Sequence, residues 1–157
     1  MTEPSPSSPD TGIALVRDIR WGDMDALGHV NNTIYFQFCE DGRIAYFTAL
    51  GVEELKTRPT DGPGMVQASL NFRKQLRYPG GVRIETHCTA IGTRSFTLSY
   101  TIFDAADGTL AAEGSSVCVW VDYAAGKAMP LPAEFVNRIA EIENNPARRD
   151  SVLPSSE

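Results

Sequence analysis

Apolar and polar residues alternate along four stretches in the second half of the chain. The alternation runs over residues 66–72, 82–90, 96–102 and 110–120. Because successive side chains of a strand point to opposite faces, a period of two predicts four strands that each bury one face. No helical pattern separates them, so we expect the four strands to pair with their chain neighbours as an antiparallel meander.

Turn residues lie between these stretches. They are residues 78–81 (YPGG), 91–93 (IGT) and 106–108 (ADG), and the Asp-Gly step in the last of them is a strong hairpin signal. Residues 56–64 (KTRPTDGPG), which come before the first of the four strands, are predicted to form a loop.

The first third of the chain has a different pattern. The stretch from Ile13 to Trp21 predicts a strand, and the Gly-, Asp- and Asn-rich residues that follow it predict a loop. From Thr33 the apolar positions recur with helical spacing, which predicts a long helix with Gly51 as its C-terminal cap.

The predicted long helix is apolar over much of its surface. Ile34, Phe38, Ala45 and Ala49 fall near one face, and further aromatic residues lie beside them. A helix of this kind is usually buried on most sides, so a sheet must cover it. The pattern therefore predicts an α+β fold, in which a curved antiparallel sheet wraps around one long central α-helix and leaves its edges available for oligomerisation.

Shorter segments frame this unit. Pro132 begins a final short helix that extends to about Glu143. Residues 1–11 predict a disordered N-terminal tail and residues 145–157 a flexible C-terminal tail. The remaining residues, 12–144, are expected to form a single domain, as the total length of 157 residues also suggests.

Composition and charge exclude several classes of protein. The net charge is −6 at pH 7, whereas nucleic-acid-binding proteins usually carry a basic surface, so no nucleic-acid partner is expected. No apolar run approaches the roughly 20 residues that cross a membrane, and no secretory signal is present, so no membrane association is expected. The widely spaced Cys39, Cys88 and Cys118 predict buried, reduced thiols in a cytoplasmic protein. With only two histidines, no metal site is expected.

Polar residues cluster between the first strand and the long helix. The cluster contains Asp23, Asp25, His29, Asn31 and Asn32. Free backbone N–H groups at a helix N-terminus polarise a carbonyl, and a nearby carboxylate such as that of Asp25 attacks the carbonyl or activates a water. The same residue types also build turns and caps, and both asparagines are N-cap candidates. Spacing alone favours this second, structural interpretation.

The sequence of the cluster changes that balance. Residues 20–43 read RWGDMDALGHVNNTIYFQFCEDGR, which contains D-x-D-x-x-G-x-V-x-N, then a Tyr, then E-x-x-R. This segment closely resembles the signature of hotdog-fold acyl-CoA thioesterases of the 4-hydroxybenzoyl-CoA thioesterase-like class, in its HVNN variant. Residues 69–86 (SLNFRKQLRYPGGVRIET) and 93–96 (TRSF) resemble later segments of the same family. The element order predicted from periodicity is also that of the hotdog fold.

The resemblance implies roles for the clustered residues. Asp25 matches the catalytic carboxylate, acting as nucleophile or general base, and the backbone N–H of Asn32 matches the group that faces the thioester carbonyl. Asp23 matches a residue that supports the loop. His29 matches a position linked with catalysis in acyl-carrier-protein thioesterases, but those proteins have Asn where this chain has Leu27. Whether His29 is functional or structural therefore stays open.

Two further residues on the helix have alternative interpretations. Glu40 and Arg43 are spaced i,i+3, so they can form a structural ion pair. Alternatively, Glu40 is the catalytic carboxylate, as in a second branch of hotdog thioesterases. The D-x-D loop favours Asp25 over Glu40.

Coenzyme A is negatively charged, so an acidic protein needs local basic residues to bind it. Arg94 and Ser95 match a turn that meets the nucleotide end of the cofactor in relatives, and Lys74 and Arg83 lie in the same basic stretch of sequence. The full set of predicted substrate-binding and CoA-binding residues is Arg94, Ser95, Arg77, Arg73, Tyr35 and Gln67.

The predicted function is hydrolysis of an acyl-CoA thioester to free CoA and a carboxylic acid, without a metal or any other cofactor. The resemblance implies a homodimer or a dimer of dimers, in which second-strand residues such as Gln67 and Ser69 line the acyl pocket of the neighbouring chain. Three alternatives stay open: an acyl-CoA-binding module that does not hydrolyse its ligand, a hotdog dehydratase or hydratase, and a thioesterase that acts on acyl-carrier-protein substrates. The sequence does not define the acyl group.

Overall fold

A computed structural model describes residues 12–56 and 58–144. In chain order, the elements are β1 (Ile13–Ile19), a 3-10 turn (Trp21–Asp23), α1 (Asn32–Leu50), α2 (Val52–Leu55), β2 (Asp61–Phe72), β3 (Gly80–Ile91), β4 (Ser95–Asp104), β5 (Leu110–Asp122), β6 (Lys127–Met129) and α3 (Ala133–Asn144). The predicted tails, residues 1–11 and 145–157, lie outside the described residues. No helix in the described ranges is long and apolar enough to cross a membrane.

The strands form one antiparallel sheet in the order β1-β3-β4-β5-β2, with β6 paired to β5. The predicted four-strand meander is therefore wrong for β2, which pairs with β5 at the far end of the sheet. The physical reason is that β1 already occupies the free edge of β3, from Ile13 opposite Thr86 to Ile19 opposite Gly80. Of the four predicted strands, only β3, β4 and β5 pair in chain order.

The start of β2 also differs from the prediction. Residues 61–64 (DGPG) were expected to lie in a loop, but they extend β2 and pair with Val119–Asp122 of β5. Pro63 is tolerated there because β2 is an edge strand, and the missing N–H of a proline costs no ladder hydrogen bond on the outer side. At the other end of the sheet, β1 stops at Ile19, and Trp21 lies in the 3-10 turn.

Helix α1 packs on β1, β3 and β4, with Tyr46 and Leu50 fully buried against them. Gly42 permits this close approach, because a Cβ atom at that position would lie 2.5 Å from Thr86 Oγ1 of β3. Ile34 and Ala49, which were expected on the buried face, are only half-buried. Since β2 and β5 lie beyond the strands that α1 covers, a groove remains between α1 and β2.

The three cysteines are free thiols. Cys39 and Cys118 are buried as predicted, whereas Cys88 is only partly buried. Burial raises the pKa of Cys39 to about 12 and that of Cys88 to about 11. Both therefore stay protonated near neutral pH, and neither is a nucleophile there.

Candidate active site

The loop between β1 and α1 is held together by the buried carboxylate of Asp23. The Oδ2 atom of this carboxylate accepts a hydrogen bond from Arg20 N at 2.8 Å. The backbone carbonyl oxygen of Asp23 accepts a second one from Asn31 N at 2.9 Å. Asp23 therefore closes the loop onto the start of α1. These two contacts are those expected of a residue that supports the loop.

Asp25 lies half-buried in the same loop. Its Oδ1 atom accepts a hydrogen bond from Leu27 N at 2.9 Å, and its Oδ2 atom accepts one from Asn31 Nδ2 at 3.3 Å. Gly28 completes the turn with a positive φ of 82°, a conformation that favours glycine. The carboxylate is thus oriented by one backbone and one side-chain donor.

Asn31 is the N-cap of α1. Its Oδ1 atom accepts from Thr33 N at 2.9 Å, and its carbonyl oxygen accepts from Ile34 N at 2.9 Å. Asn32, the other cap candidate, is instead the first residue of the helix. Its backbone N–H has no hydrogen-bond partner within residues 12–56 and 58–144, so it is a free donor at the positive end of the helix.

A cavity of about 530 Å³ opens beside this helix start. Five of the predicted site residues line it: Asp25, His29, Asn32, Tyr35 and Arg73. The other lining residues are Leu27, Val30, Phe72, Lys74 and Gln75. Asp25, which has the carboxylate, and Asn32, which has the free backbone donor, thus line one cavity. Such a pair can activate a nucleophile and polarise a carbonyl at the same place.

Tyr35 contributes its ring rather than its hydroxyl to this cavity. The side chain is buried, and its OH donates to Lys74 O at 2.8 Å. Burial raises the pKa of Tyr35. The ring lies edge-on to Phe72, with the centroids 5.2 Å apart. Tyr35 therefore ties α1 to the segment after β2 and forms part of the cavity wall.

His29 contacts Arg77 across 48 residues of sequence, with Arg77 Nη2 2.9 Å from His29 Nε2. Because a guanidinium only donates, Nε2 is the acceptor in this contact. In this arrangement Nε2 is occupied by the contact with Arg77. Sequence reasoning did not find this contact, because the two residues share no local pattern.

The basic residues nearest the cavity are paired with acids. Arg73 Nη2 lies 2.8 Å from Glu113 Oε1, and Lys74 Nζ lies 2.8 Å from both Asp104 Oδ2 and Asp107 Oδ2. The Lys74 ammonium and the Thr109 side-chain and backbone donors hold the pKa of Asp107 well below its usual range. These two cations are thus largely compensated within the chain.

The remaining basic candidates do not form one patch within a chain. Arg83 pairs with Glu85, Nε to Oε1, at 3.1 Å. Arg77 and Arg94 have no acidic partner within the described ranges, but they lie at opposite ends of β3. A strand of this length spans roughly 36 Å, so a single chain does not bring the two guanidinium groups together.

Two further predicted residues lie away from the cavity. Ser95 begins β4, opposite Val119 of β5. Gln67 is exposed on β2, where the register with β5 shifts between Met65 and Gln67. Neither lines the cavity that contains Asp25.

Glu40 and Arg43 do not form the ion pair that their spacing permits. Glu40 is exposed, and within the described part of the chain it makes no ion pair or hydrogen bond. Arg43 is half-buried, and its Nη1 atom donates to Tyr100 OH at 3.3 Å. Among the described residues, no group of three or more His, Cys, Asp or Glu side chains is placed to hold a metal ion.

Comparison with known proteins identifies the family of the chain. Residues 19–139 match the Thioesterase-like superfamily. The chain is 30% identical to the uncharacterized protein YsmA of Bacillus subtilis (strain 168) over 112 residues, which are 71% of this chain and 74% of that protein.

Two solved structures are similar over most of their length. The PA2801 protein of Pseudomonas aeruginosa, a candidate thioesterase, is 32% identical with a TM-score of 0.75, and the match covers 82% of this chain and 98% of that chain. Slr0204 from Synechocystis, a 1,4-dihydroxy-2-naphthoyl-CoA thioesterase, is 18% identical with a TM-score of 0.74, and the match covers 83% of this chain and 96% of that chain. The likeness to Slr0204 supports the fold alone. The predicted α+β hotdog fold is confirmed, and the chain belongs to the thioesterase-like superfamily.

Proposed function

We propose that this protein hydrolyses an acyl-CoA thioester to free CoA and a carboxylic acid. The observation that carries the proposal is the position of the Asp25 carboxylate and the free N–H of Asn32 beside one cavity. The family, shown by the match over residues 19–139, supports the reaction class. Within the family, we place the chain in the 4-hydroxybenzoyl-CoA thioesterase-like class with its HVNN variant.

The proposed chemistry assigns one task to each group. The thioester carbonyl oxygen binds the Asn32 N–H, where the helix dipole stabilises the negative charge that develops on it. Asp25 either attacks the carbonyl carbon directly or removes a proton from the attacking water. The CoA thiolate then leaves and takes up a proton; on the direct route, water next hydrolyses the mixed anhydride between Asp25 and the acyl group, which releases the carboxylic acid and restores the Asp25 carboxylate. Arg77 and Arg94, the basic candidates without acidic partners in the described ranges, are proposed to bind the CoA phosphates, one from each of two paired chains, because they lie too far apart within one chain. The free thiols fit a cytoplasmic location.

The experiment that tests this function is a thiol-release assay. Purified protein is mixed with a panel of acyl-CoAs that includes short, long and aromatic acyl groups, and CoA release is followed with a thiol reagent. Release from at least one member supports the proposal and ranks the acyl groups. A folded protein that binds acyl-CoA and leaves it intact for hours would instead indicate a binding module.

We also propose that two copies of the chain pair along β2. This strand is 12 residues long and lies at the end of the sheet. Residues 62–72 contain no charged side chain, and Met65, Val66 and Phe72 are 50%, 62% and 47% exposed. A long, uncharged, apolar edge is a site for strand pairing, and a second β2 is its simplest partner.

A charge at this edge is expected to weaken the dimer. Val66→Lys places like charges close together when two β2 strands pair, which should raise the dimer dissociation constant by more than about tenfold. The matched control is Val16→Lys, the same substitution at an exposed valine of β1 on the opposite edge. Sedimentation velocity at several concentrations measures the effect. Equal association of the two variants would contradict pairing along β2.

Asn31 offers a test of how Asp25 is oriented. Asn31→Ser keeps an oxygen that caps Thr33 N but removes the amide donor to Asp25. We expect kcat to fall by about tenfold, as for the loss of one hydrogen bond to a charged group, with an unchanged melting temperature. Asn31→Ala removes both contacts and should also lower stability by about 1 kcal/mol. A serine variant with wild-type kcat would show that the amide does not position Asp25.

A further inference from the structure

A second, smaller cavity lies further along α1 and β2 from the one that contains Asp25. It has a volume of about 130 Å³ and lies between α1 and β2. We call it the Arg43 chamber; its walls include Phe36, Glu40, Arg43, Leu70, Tyr100 and Ser116. Its volume is slightly below the roughly 150 Å³ of an engineered cavity that admits benzene. It therefore holds a few carbon atoms and one polar group.

Along both α1 and β2, the chamber lies next to the cavity that contains Asp25 in the order of the lining residues. On α1, Tyr35 lines the Asp25 cavity and Phe36 the chamber; on β2, Phe72 lines the first and Leu70 the second. The ring of Phe36, in the chamber wall, lies edge-on to that of Phe72, in the wall of the other cavity, with the centroids 6.4 Å apart. An acyl group whose carbonyl binds at Asn32 therefore extends past this aromatic pair into the chamber.

Arg43 is the unusual residue in the chamber. It is half-buried, and within residues 12–56 and 58–144 no carboxylate lies within ion-pair distance of it. Its one hydrogen bond goes to Tyr100 OH at 3.3 Å, and a guanidinium has five N–H donors. Tyr100 in turn lies 2.6 Å from Ser116 Oγ. A partly buried cation with free donors is costly unless an acceptor satisfies it.

The chain offers few sources for that acceptor. Residues 62–72 of β2 contain no charged side chain, and Asp61, the acid that begins the strand, lies outside the chamber, in the wall of a larger cavity that Arg43 also lines. Glu40 reaches the chamber from one turn earlier, but it is exposed and makes no ion pair with Arg43. Within the chamber itself, a bound ligand is the remaining source of that acceptor, apart from an acid on the partner's helix.

We infer that Arg43 binds a carboxylate at the far end of the acyl group, so that the preferred substrate is the CoA thioester of a dicarboxylic acid. This inference rests on the proposed function, because it assumes that the thioester lies at Asp25 and Asn32. Arg43 follows Asn32 by 11 residues, which is about 16 Å along a helix axis, and helical side chains lean back towards the N-terminus. The guanidinium fork binds a carboxylate with two N–H groups, and the Tyr100 hydroxyl adds a polar contact.

The test compares acyl groups that differ only in the terminal carboxylate. Adipoyl-, suberoyl- and sebacoyl-CoA are assayed against hexanoyl-, octanoyl- and decanoyl-CoA on the wild type, Arg43→Met and Arg43→Lys. We expect at least one dicarboxylic substrate to exceed its monocarboxylic counterpart in kcat/KM by roughly tenfold to a hundredfold. Arg43→Met should remove this preference with little change for the monocarboxylic substrate, and Arg43→Lys should keep part of it.

Several outcomes would overturn the inference. One is a wild-type enzyme that hydrolyses monocarboxylic substrates as well as or better than dicarboxylic ones, a result that needs no variant to fold. Another is a preference that survives in Arg43→Met. If Arg43→Met instead dissociates the oligomer and leaves the substrate ranking unchanged, Arg43 pairs with the partner and not with substrate. No release from any acyl-CoA contradicts the proposed function itself, which keeps the two failures distinguishable.

Discussion

Asp25→Asn is expected to lower kcat for thioester hydrolysis by about a hundredfold to ten-thousandfold, the usual contribution of a positioned acid or base. Asparagine has the same shape as aspartate, and its side-chain oxygen still accepts from Leu27 N, so the loop should keep its form. What is lost is the negative charge that attacks the carbonyl or takes a proton from water. Thiol release on the best acyl-CoA of the panel measures the change.

The matched control for this variant is Glu40→Gln, the same chemical change at the other candidate carboxylate. Because Glu40 lines the Arg43 chamber and not the cavity with the free Asn32 N–H, its variant should keep a kcat close to that of the wild type, and any change in substrate binding should appear in KM. Both variants are checked for a wild-type melting temperature. Full activity of Asp25→Asn together with an inactive Glu40→Gln would assign the catalyst to the helix and overturn the role of Asp25.

Local patterns predicted most of the elements and the order of the site residues. The period-two stretches coincide with β3, β4 and β5, and the helical spacing with α1, because strand and helix periodicities are set by the residue itself and its near neighbours. Asn31 and Gly51 cap α1 through contacts that also span only a few residues. The short distance in sequence from Asp25 to Asn32 made their proximity predictable.

Features that depend on distant parts of the chain were not predictable in this way. The placement of β2 beside β5 follows from β1 occupying the edge of β3, a competition between segments far apart in sequence. The acids that compensate Arg73 and Lys74 lie on β4, on β5 and in the turn between these strands, more than 25 residues away. Basic residues that are close together in sequence therefore do not by themselves form a basic surface.

The docking of α3 is a second feature that only the structure defines. Phe135 is fully buried, and its ring lies edge-on to both Phe96 and Trp120, with centroids 5.0 and 5.1 Å apart. At the other end of the helix, Glu143 accepts hydrogen bonds from Tyr46 OH at 2.6 Å and from Cys88 N at 2.8 Å. One aromatic ring and one carboxylate thus fix α3 on the sheet and on α1.

Phe135→Ala is expected to lower the free energy of unfolding by about 3–5 kcal/mol, because it removes a buried ring and leaves a cavity between Phe96 and Trp120. That is a large share of the roughly 5–15 kcal/mol that stabilises a typical domain. Asn137→Ala, at an exposed position of the same helix, should change it by less than about 0.5 kcal/mol. Urea denaturation at one fixed protein concentration measures both, since association adds to apparent stability. A Phe135→Ala variant within about 1 kcal/mol of the wild type would show that α3 contributes little to the folded core, and the contacts of Glu143 would then be its main attachment.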